Sequence, residues 1–186
     1  LNIKDKKCKV LDIGSGWGGM AIEIAKQTGA SVKGITLSEN QLQTSKRRAI
    51  ESNLNKLVDF ELADYRNIKE QYNRIISVGM FEHVGVGQIN KFFSSIKKLL
   101  TDDGVMVLHS IGQIGVPCQT NPWIRKHIFP GGYIPSISEV VRAVENQGLW
   151  IHDIEILRLH YANTIKHWRR NFNNNRDKIS NILGNR

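Results

Sequence analysis

The stretch Val10-Leu11-Asp12-Ile13-Gly14-Ser15-Gly16-Trp17-Gly18-Gly19 constrains this chain more than any other. Branched apolar residues broken by one acid run into a segment with glycine at four of six positions, 14, 16, 18 and 19. The first half predicts a buried strand. The second predicts a turn that uses positive φ and lets a ligand come close to the backbone. Met20 to Lys26 then follows a helical pattern. Strand, glycine turn and helix in that order cradle a nucleotide-like ligand at a helix N-terminus.

The rest of the chain repeats the alternation. Gly29 ends the first helix, and Ser31 to Leu37, rich in Val and Ile, reads as a second strand. Ser38-Glu39-Asn40-Gln41 has the form of a capping box and opens a helix to about Glu51. Val58 to Leu62 and Arg74 to Val78 are the third and fourth strands. Gln88 to Leu100 is a helix with Phe92, Phe93, Ile96 and Leu100 inward. Asp102-Asp103-Gly104 is a turn, and Val105 to Ser110 a fifth strand. Such a pattern predicts a parallel sheet with helices on both faces, its ligands bound beyond the C-terminal strand ends. Gly14 to Gly18, Thr36-Leu37, Asp64-Tyr65, Gly79 to Gly85 and His109 to Gly112 then share one edge.

From Ile111 to Pro135 the pattern lapses. All four prolines fall here, with Gly131-Gly132 and the aromatics Trp123, Phe129 and Tyr133. A loop of this length is more often functional than filler. Ser136-Ile137-Ser138-Glu139 is a second capping box, and Gly148 ends its helix. Trp150 to Leu159 is expected as a sixth strand and Thr164 to Phe172 as a basic helix, with a fraying tail beyond. No repeat and no linker divides the 186 residues, which read as a single domain.

The net charge of +9 points to an anionic partner, whether nucleic acid, an acidic membrane surface or a phosphorylated substrate, against a merely solvated basic surface. Cys8 and Cys118 stand far apart in no metal-ligand spacing, so no metal site and no disulfide framework is expected, and a cytoplasmic, reducing compartment fits. The apolar stretches are too short to span a bilayer.

The ligand can be narrowed. A dinucleotide site wants an acid at the end of the second strand, where this chain has Thr36-Leu37. A phosphate-binding P-loop is excluded because no Gly-Lys-Ser/Thr occurs. S-adenosylmethionine carries no phosphate and needs only close backbone approach at the glycines. The strand-end residues would then hold its ribose, and Asp64-Tyr65 its adenine. Further polar groups recur at the same edge: Glu82 and His83, His109, and His160-Tyr161. Spacing alone licenses a methyltransferase-like fold with a polar pocket. A nucleic-acid methyltransferase is suggested by charge but lacks an Asn-Pro-Pro-Tyr-type motif.

Gly34-Ile35-Thr36-Leu37-Ser38-Glu39-Asn40-Gln41, Ala63-Asp64-Tyr65-Arg66, Gly79-Met80-Phe81-Glu82-His83-Val84-Gly85, Leu108-His109-Ser110-Ile111-Gly112, Phe129-Pro130-Gly131-Gly132 and His160-Tyr161…Thr164…Trp168 follow the glycine stretch in order. Together they resemble the cyclopropane-fatty-acyl-phospholipid synthase family and, more distantly, the mycolic acid cyclopropane synthases. The resemblance implies a Rossmann-like class I S-adenosylmethionine-dependent methyltransferase fold. It also implies transfer of a methylene to the cis double bond of a phospholipid acyl chain, with a bound bicarbonate as base. By the same resemblance, Glu82, His109 and Tyr161 hold that ion by side chains and Ile111 by its backbone. Gly14, Ser15, Gly16, Thr36, Leu37, Gln41, Asp64 and Tyr65 meet the cofactor, with Ser15 where the family often has Cys. Residues 111–135, with Trp123 and Phe129, would shape the acyl channel.

The partners implied are an unsaturated phospholipid and the anionic membrane surface, reached peripherally, with a homodimer admitted and no nucleic acid. Relative to that family the sequence is expected to be truncated at both ends. It lacks a segment that closes over the cofactor and supplies a Cys, for which Cys8 is misplaced, and a final strand between the fifth and sixth. The competing expectation is a decayed fold that binds cofactor weakly without catalysis.

Overall fold

The computed structural model describes residues 1–184 and resolves them into two compact units, Leu1–Trp150 and the residues from Ile151 onward. The first holds five strands, β1 (Lys9–Ile13), β2 (Ser31–Thr36), β3 (Val58–Leu62), β4 (Tyr72–Val78) and β5 (Leu100–His109). All neighbours are parallel, in the order β3-β2-β1-β4-β5. The helices between them are α1 (Gly19–Thr28), α2 (Glu39–Glu51) and α3 (Ile89–Leu99), followed by α4 (Pro122–His127) and α5 (Ile137–Glu145).

Period-two alternation sorts the strand residues between two cores. Val10, Val32, Val58, Phe60 and Ile76 pack with Ala21, Ile22, Ala25 and Ala49 of α1 and α2. Leu11, Ile13, Ile35 and Ile75 pack with Phe92, Phe93, Ile96 and Leu99 of α3 and Ala143 of α5. Both faces are thus covered, which is why these strands read as nearly continuous apolar runs. Burying a residue such as Phe92 or Ile96 contributes about 1.5–3 kcal/mol each.

The chain lays β2 and β3 on one side of β1, then crosses to place β4 and β5 on the other. The switch point between β1 and β4 is where an open parallel sheet splits at its C-terminal edge and admits a ligand. The glycine turn follows β1, and Gly79-Met80 follows β4. Both capping residues are in place. The Ser38 hydroxyl accepts from the Gln41 N–H, and Ser136 and Glu139 form a full reciprocal box at α5.

Three expectations are corrected. The turn at Asp102–Gly104 lies inside β5, where the register against β4 shifts between Tyr72 and Arg74 and absorbs the extra residues. Trp150 to Leu159 is not a strand: residues 151–157 carry no regular structure and are exposed. Its Ile-rich composition suits a sheet, but a strand exists only when a neighbour takes its backbone groups, and among the described residues none does. In the second unit, α6 spans His160–Asn174 and α7 spans Arg176–Leu183, where fraying was expected. A helix satisfies its own backbone and needs no such neighbour.

Candidate functional site

The glycine turn is clamped from below. The Gly14 and Ser15 N–H groups both donate to the Ile35 carbonyl, at 3.0 and 2.9 Å, and the Ser15 hydroxyl donates to the same oxygen at 3.3 Å. Arg48 of α2 donates to the Trp17 carbonyl at 2.7 Å. Gly14 has φ +77°, and a Cβ there would lie 2.7 Å from the Met80 side chain, so the β1 and β4 loops meet at this point. Gly16 has φ +54° but faces open space. The backbone conformation favours glycine at Gly16, and the open side is where a ligand can approach. Ser15 is buried and tied to Ile35, so it shapes the turn.

Asp12 precedes this turn on the sheet face that α1 and α2 cover. Its Oδ2 is buried with no hydrogen-bond partner, and burial pushes its carboxyl up from 3.8 to about 7. The signal was in the sequence, one acid inside an apolar strand, but its role was not assigned there.

At the end of β2, Thr36 and Gln41 are brought together, the Thr36 hydroxyl donating to Gln41 Oε1 at 2.7 Å. The Gln41 amide therefore does not complete the capping box. Leu37 is 76% exposed beside them. After β3, the Arg66 guanidinium donates to both oxygens of Asp64, at 2.9 and 2.6 Å. Those bonds hold the Asp64 carboxyl below its ordinary value. The Tyr65 ring packs edge-on against Phe92 at 5.3 Å.

Glu82 sits in a single 3-10 turn, Phe81–His83, after β4. Phe81 anchors that turn in the core, edge-on to Phe92 at 5.0 Å. The Ile111 N–H donates to Glu82 Oε1 at 2.7 Å, and the Tyr133 N–H donates to the Glu82 carbonyl at 2.9 Å. Glu82 is 6% exposed, and its Oε2 is buried without a partner. So the β4 and β5 loops are cross-linked through a carboxylate that keeps one oxygen free. The His109 carbonyl accepts from the Gly79 N–H at 3.0 Å, and its exposed imidazole makes no hydrogen bond among the described residues. Tyr161 lies in the second unit, on α6, edge-on to Trp168 at 6.5 Å.

Tyr133, one of the loop aromatics, has a supporting bond that sequence reasoning did not find. Its hydroxyl donates to Glu139, 2.7 and 2.8 Å from the two carboxylate oxygens. Burial first, and Glu139 second, push the phenol up to about 12. No local motif signals this bond, which joins the loop holding Glu82 to the cap of α5. A separate polar cleft of about 310 Å³ lies at the opposite edge of the sheet, near Lys7, Asn73 and Arg74, and none of the residues above lines it.

The model of a family described as mycolic acid cyclopropane synthetase matches residues 1–186. The chain is 35% identical over 182 residues to a probable fatty acid methyltransferase of Pseudomonas putida, covering 94% of this chain and 46% of that one. It is 35% identical over 164 residues to the cyclopropane-fatty-acyl-phospholipid synthase of Escherichia coli K12, covering 88% and 42%. The chain thus spans less than half the length of these relatives. Among solved structures it is similar to the cyclopropane synthase MmaA2 of Mycobacterium tuberculosis, with TM-score 0.86, 29% identity, and coverage of 98% of this chain and 68% of that one. It is also similar to the mycolic acid cyclopropane synthase CmaA1 complexed with SAH and CTAB, with TM-score 0.85, 29% identity and the same coverage. The sheet and its covering helices are those of class I S-adenosylmethionine-dependent methyltransferases.

Proposed function

Because the chain belongs to the mycolic acid cyclopropane synthetase family, we propose that it is an S-adenosylmethionine-dependent transferase acting on lipid double bonds. Its substrate is the cis double bond of a phospholipid acyl chain, and its product a cyclopropane ring. The observation that carries this reading is Glu82, a buried carboxylate fixed through one oxygen and bare at the other, at the ligand-binding edge of the sheet.

S-adenosylmethionine would supply the methyl group, and bicarbonate the base that removes a proton from that methyl after it has joined the lipid carbon. The residues present fit both. Gly16 leaves open space where the backbone must be approached. Thr36, Leu37 and Gln41 stand where the ribose would lie, and Asp64 and Tyr65 at the adenine. Asp64 Oδ1 accepts twice from Arg66, through the backbone N–H and Nε, while Oδ2 keeps a lone pair beyond its single bond to the guanidinium. Glu82 Oε2 is an acceptor without a donor, suited to the O–H of a small oxyacid anion, with His109 as a further side-chain partner; Tyr161, which the family resemblance also assigns to that ion, belongs to the second unit. Ile111 acts by holding Glu82, since its N–H is given to Oε1. The alkene is a poor nucleophile; taking the methyl would break its bond to the sulfonium sulfur, release S-adenosylhomocysteine as a neutral thioether and leave the positive charge on a lipid carbon. A buried carboxylate fixed through one oxygen would stabilise that charge as it forms. The proton then lost lets the new carbon close onto its neighbour.

Residues 1–186 would work as one methyltransferase domain, with residues 111–135 shaping the acyl channel through Trp123 and Phe129. The net charge of +9 suits a cytoplasmic enzyme working peripherally on an anionic bilayer. No helix among the described residues is long and apolar enough to cross a membrane.

The test is to incubate the chain with unsaturated phospholipid vesicles, S-adenosylmethionine and bicarbonate, and to weigh the lipid. Gain of one methylene, lost in Glu82→Ala, supports the reading. Cofactor binding without product would instead identify a decayed fold.

A further inference from the structure

The loop between β5 and α5, assigned above to the acyl channel through Trp123 and Phe129, also carries exposed apolar side chains, most of which the channel does not use. Ile114, Val116, Trp123 and Ile128 are 77%, 85%, 61% and 43% exposed. Single exposed apolar residues are ordinary on a soluble surface, but these four share one stretch that is held firmly at its base. The Gln113 N–H donates to the Pro135 carbonyl at 2.9 Å, and the Ile137 N–H to the Gln113 carbonyl at 3.2 Å. The Ile134 N–H donates to the buried Thr120 hydroxyl at 3.0 Å. Asn121 caps α4, accepting from the Trp123 N–H at 2.9 Å. Pinned at both ends, the segment still leaves Trp123 and three aliphatic side chains in water.

Charge says what covers it. Residues 111–135 contain no Asp or Glu, while Arg125 and Lys126 stand exposed between Trp123 and Ile128. Aliphatic tips, an exposed tryptophan and adjacent cations without acids match the boundary of a bilayer. There the apolar groups enter the acyl region and the cations meet anionic headgroups. We propose that this loop is the element that inserts into an anionic membrane surface, with Ile114 and Val116 dipping below the headgroups and Arg125 and Lys126 pairing with them. The choice of a lipid surface as the occupant rests on the lipid substrate proposed above. The proposal adds to it the docking element itself.

The chain carries its own probe. Cys118 is exposed within the loop and Cys8 is buried, so an environment-sensitive dye can be attached at Cys118. With vesicles containing phosphatidylglycerol the dye emission shifts to the blue and the chain co-sediments; with phosphatidylcholine alone neither occurs. Arg125→Gln with Lys126→Gln weakens partitioning about thirtyfold, and Ile114→Ser with Val116→Ser weakens it on the order of tenfold or more. An unshifted dye, or partitioning unchanged in both double variants, overturns the proposal. So does a vesicle-free dimer that both double variants abolish, which would make a second copy the occupant.

Product formation separates this proposal from the activity reading. Loop-dependent vesicle binding with no cyclopropane product, on vesicles or on detergent-dispersed phospholipid, keeps the docking surface and rejects the activity. Product formed on vesicles at an undiminished rate by both loop variants does the reverse.

Discussion

Asp12→Asn removes an ionisable group buried beneath the glycine turn, and its effect depends on pH. In the folded chain the Asp12 carboxyl titrates at about 7, raised from 3.8 by burial, with Oδ2 unpartnered. The folded state therefore holds a proton that the unfolded chain releases above about pH 4. Stability from this group is fully present below 3.8, declines as pH rises towards 7, and is flat above. A span of about three pH units at about 1.4 kcal/mol per unit is a loss of about 4 kcal/mol. Asparagine is neutral throughout and nearly isosteric. The variant should match the parent at pH 4 and exceed it by up to about 4 kcal/mol at pH 8. Urea unfolding of both chains at pH 4, 5, 6, 7 and 8 measures the difference, and all other titrating groups cancel in it. Parallel curves would refute the reasoning, since they would mean that water or a partner reaches the carboxylate in the folded state.

Three further outcomes follow from the packing. A Cβ on Gly34 would lie 2.6 Å from two Phe60 ring carbons and 2.9 Å from Ser15 Cβ. Gly34→Ala should therefore cost about 2 kcal/mol by thermal unfolding, and a Phe60→Leu partner change should recover part of it, giving a less-than-additive double variant. Arg48→Ala removes the bond to the Trp17 carbonyl, which is worth about 1 kcal/mol. It should weaken S-adenosylmethionine binding roughly fivefold by titration calorimetry; an unchanged Kd would mean the Ile35 clamp alone holds the turn. Tyr133→Phe deletes a bond to Glu139, whose carboxyl is raised by burial but lowered more by hydrogen bonds from Ser136 and Tyr133, for a net lowering. The stabilisation is present above the unfolded glutamate pKa and is lost as pH falls through the lower folded one. The variant should thus be about 1 kcal/mol less stable at pH 7, with the gap closing towards pH 3 in urea titrations.

Much of this was legible in the chain because its causes are local. The glycines at 14, 16 and 18 adopt positive φ, as a turn of that composition must. The run of apolar strands and amphipathic helices dictated a parallel, doubly covered sheet. Ser38 and Ser136 started helices by bonding three residues ahead. The Pro-rich stretch from 111 to 135 was read as irregular, yet Asn121 and Pro122 start the short helix α4 inside it.

What failed to read through depends on distant parts of the chain. Residues 151–157 have strand composition but take no strand, because that choice belongs to a neighbour and not to the segment. The Tyr133–Glu139 bond joins a loop to a helix cap without any periodic pattern to announce it.

The glycine turn shows the division most clearly. Sequence by itself determined that a close-approach backbone would follow a buried strand, because glycine adopts those torsions at no steric cost. Only the tertiary structure decided what stands around it. The crossing from β3 to β4 brings Met80 against Gly14, and the pairing of β4 with β5 lets Ile111 reach Glu82 across 29 residues of chain. Burial under α1 and α2 leaves Asp12 with an oxygen no group satisfies. Torsional preference is a property of single residues, whereas desolvation and hydrogen-bond partnership depend on which segments the fold places side by side.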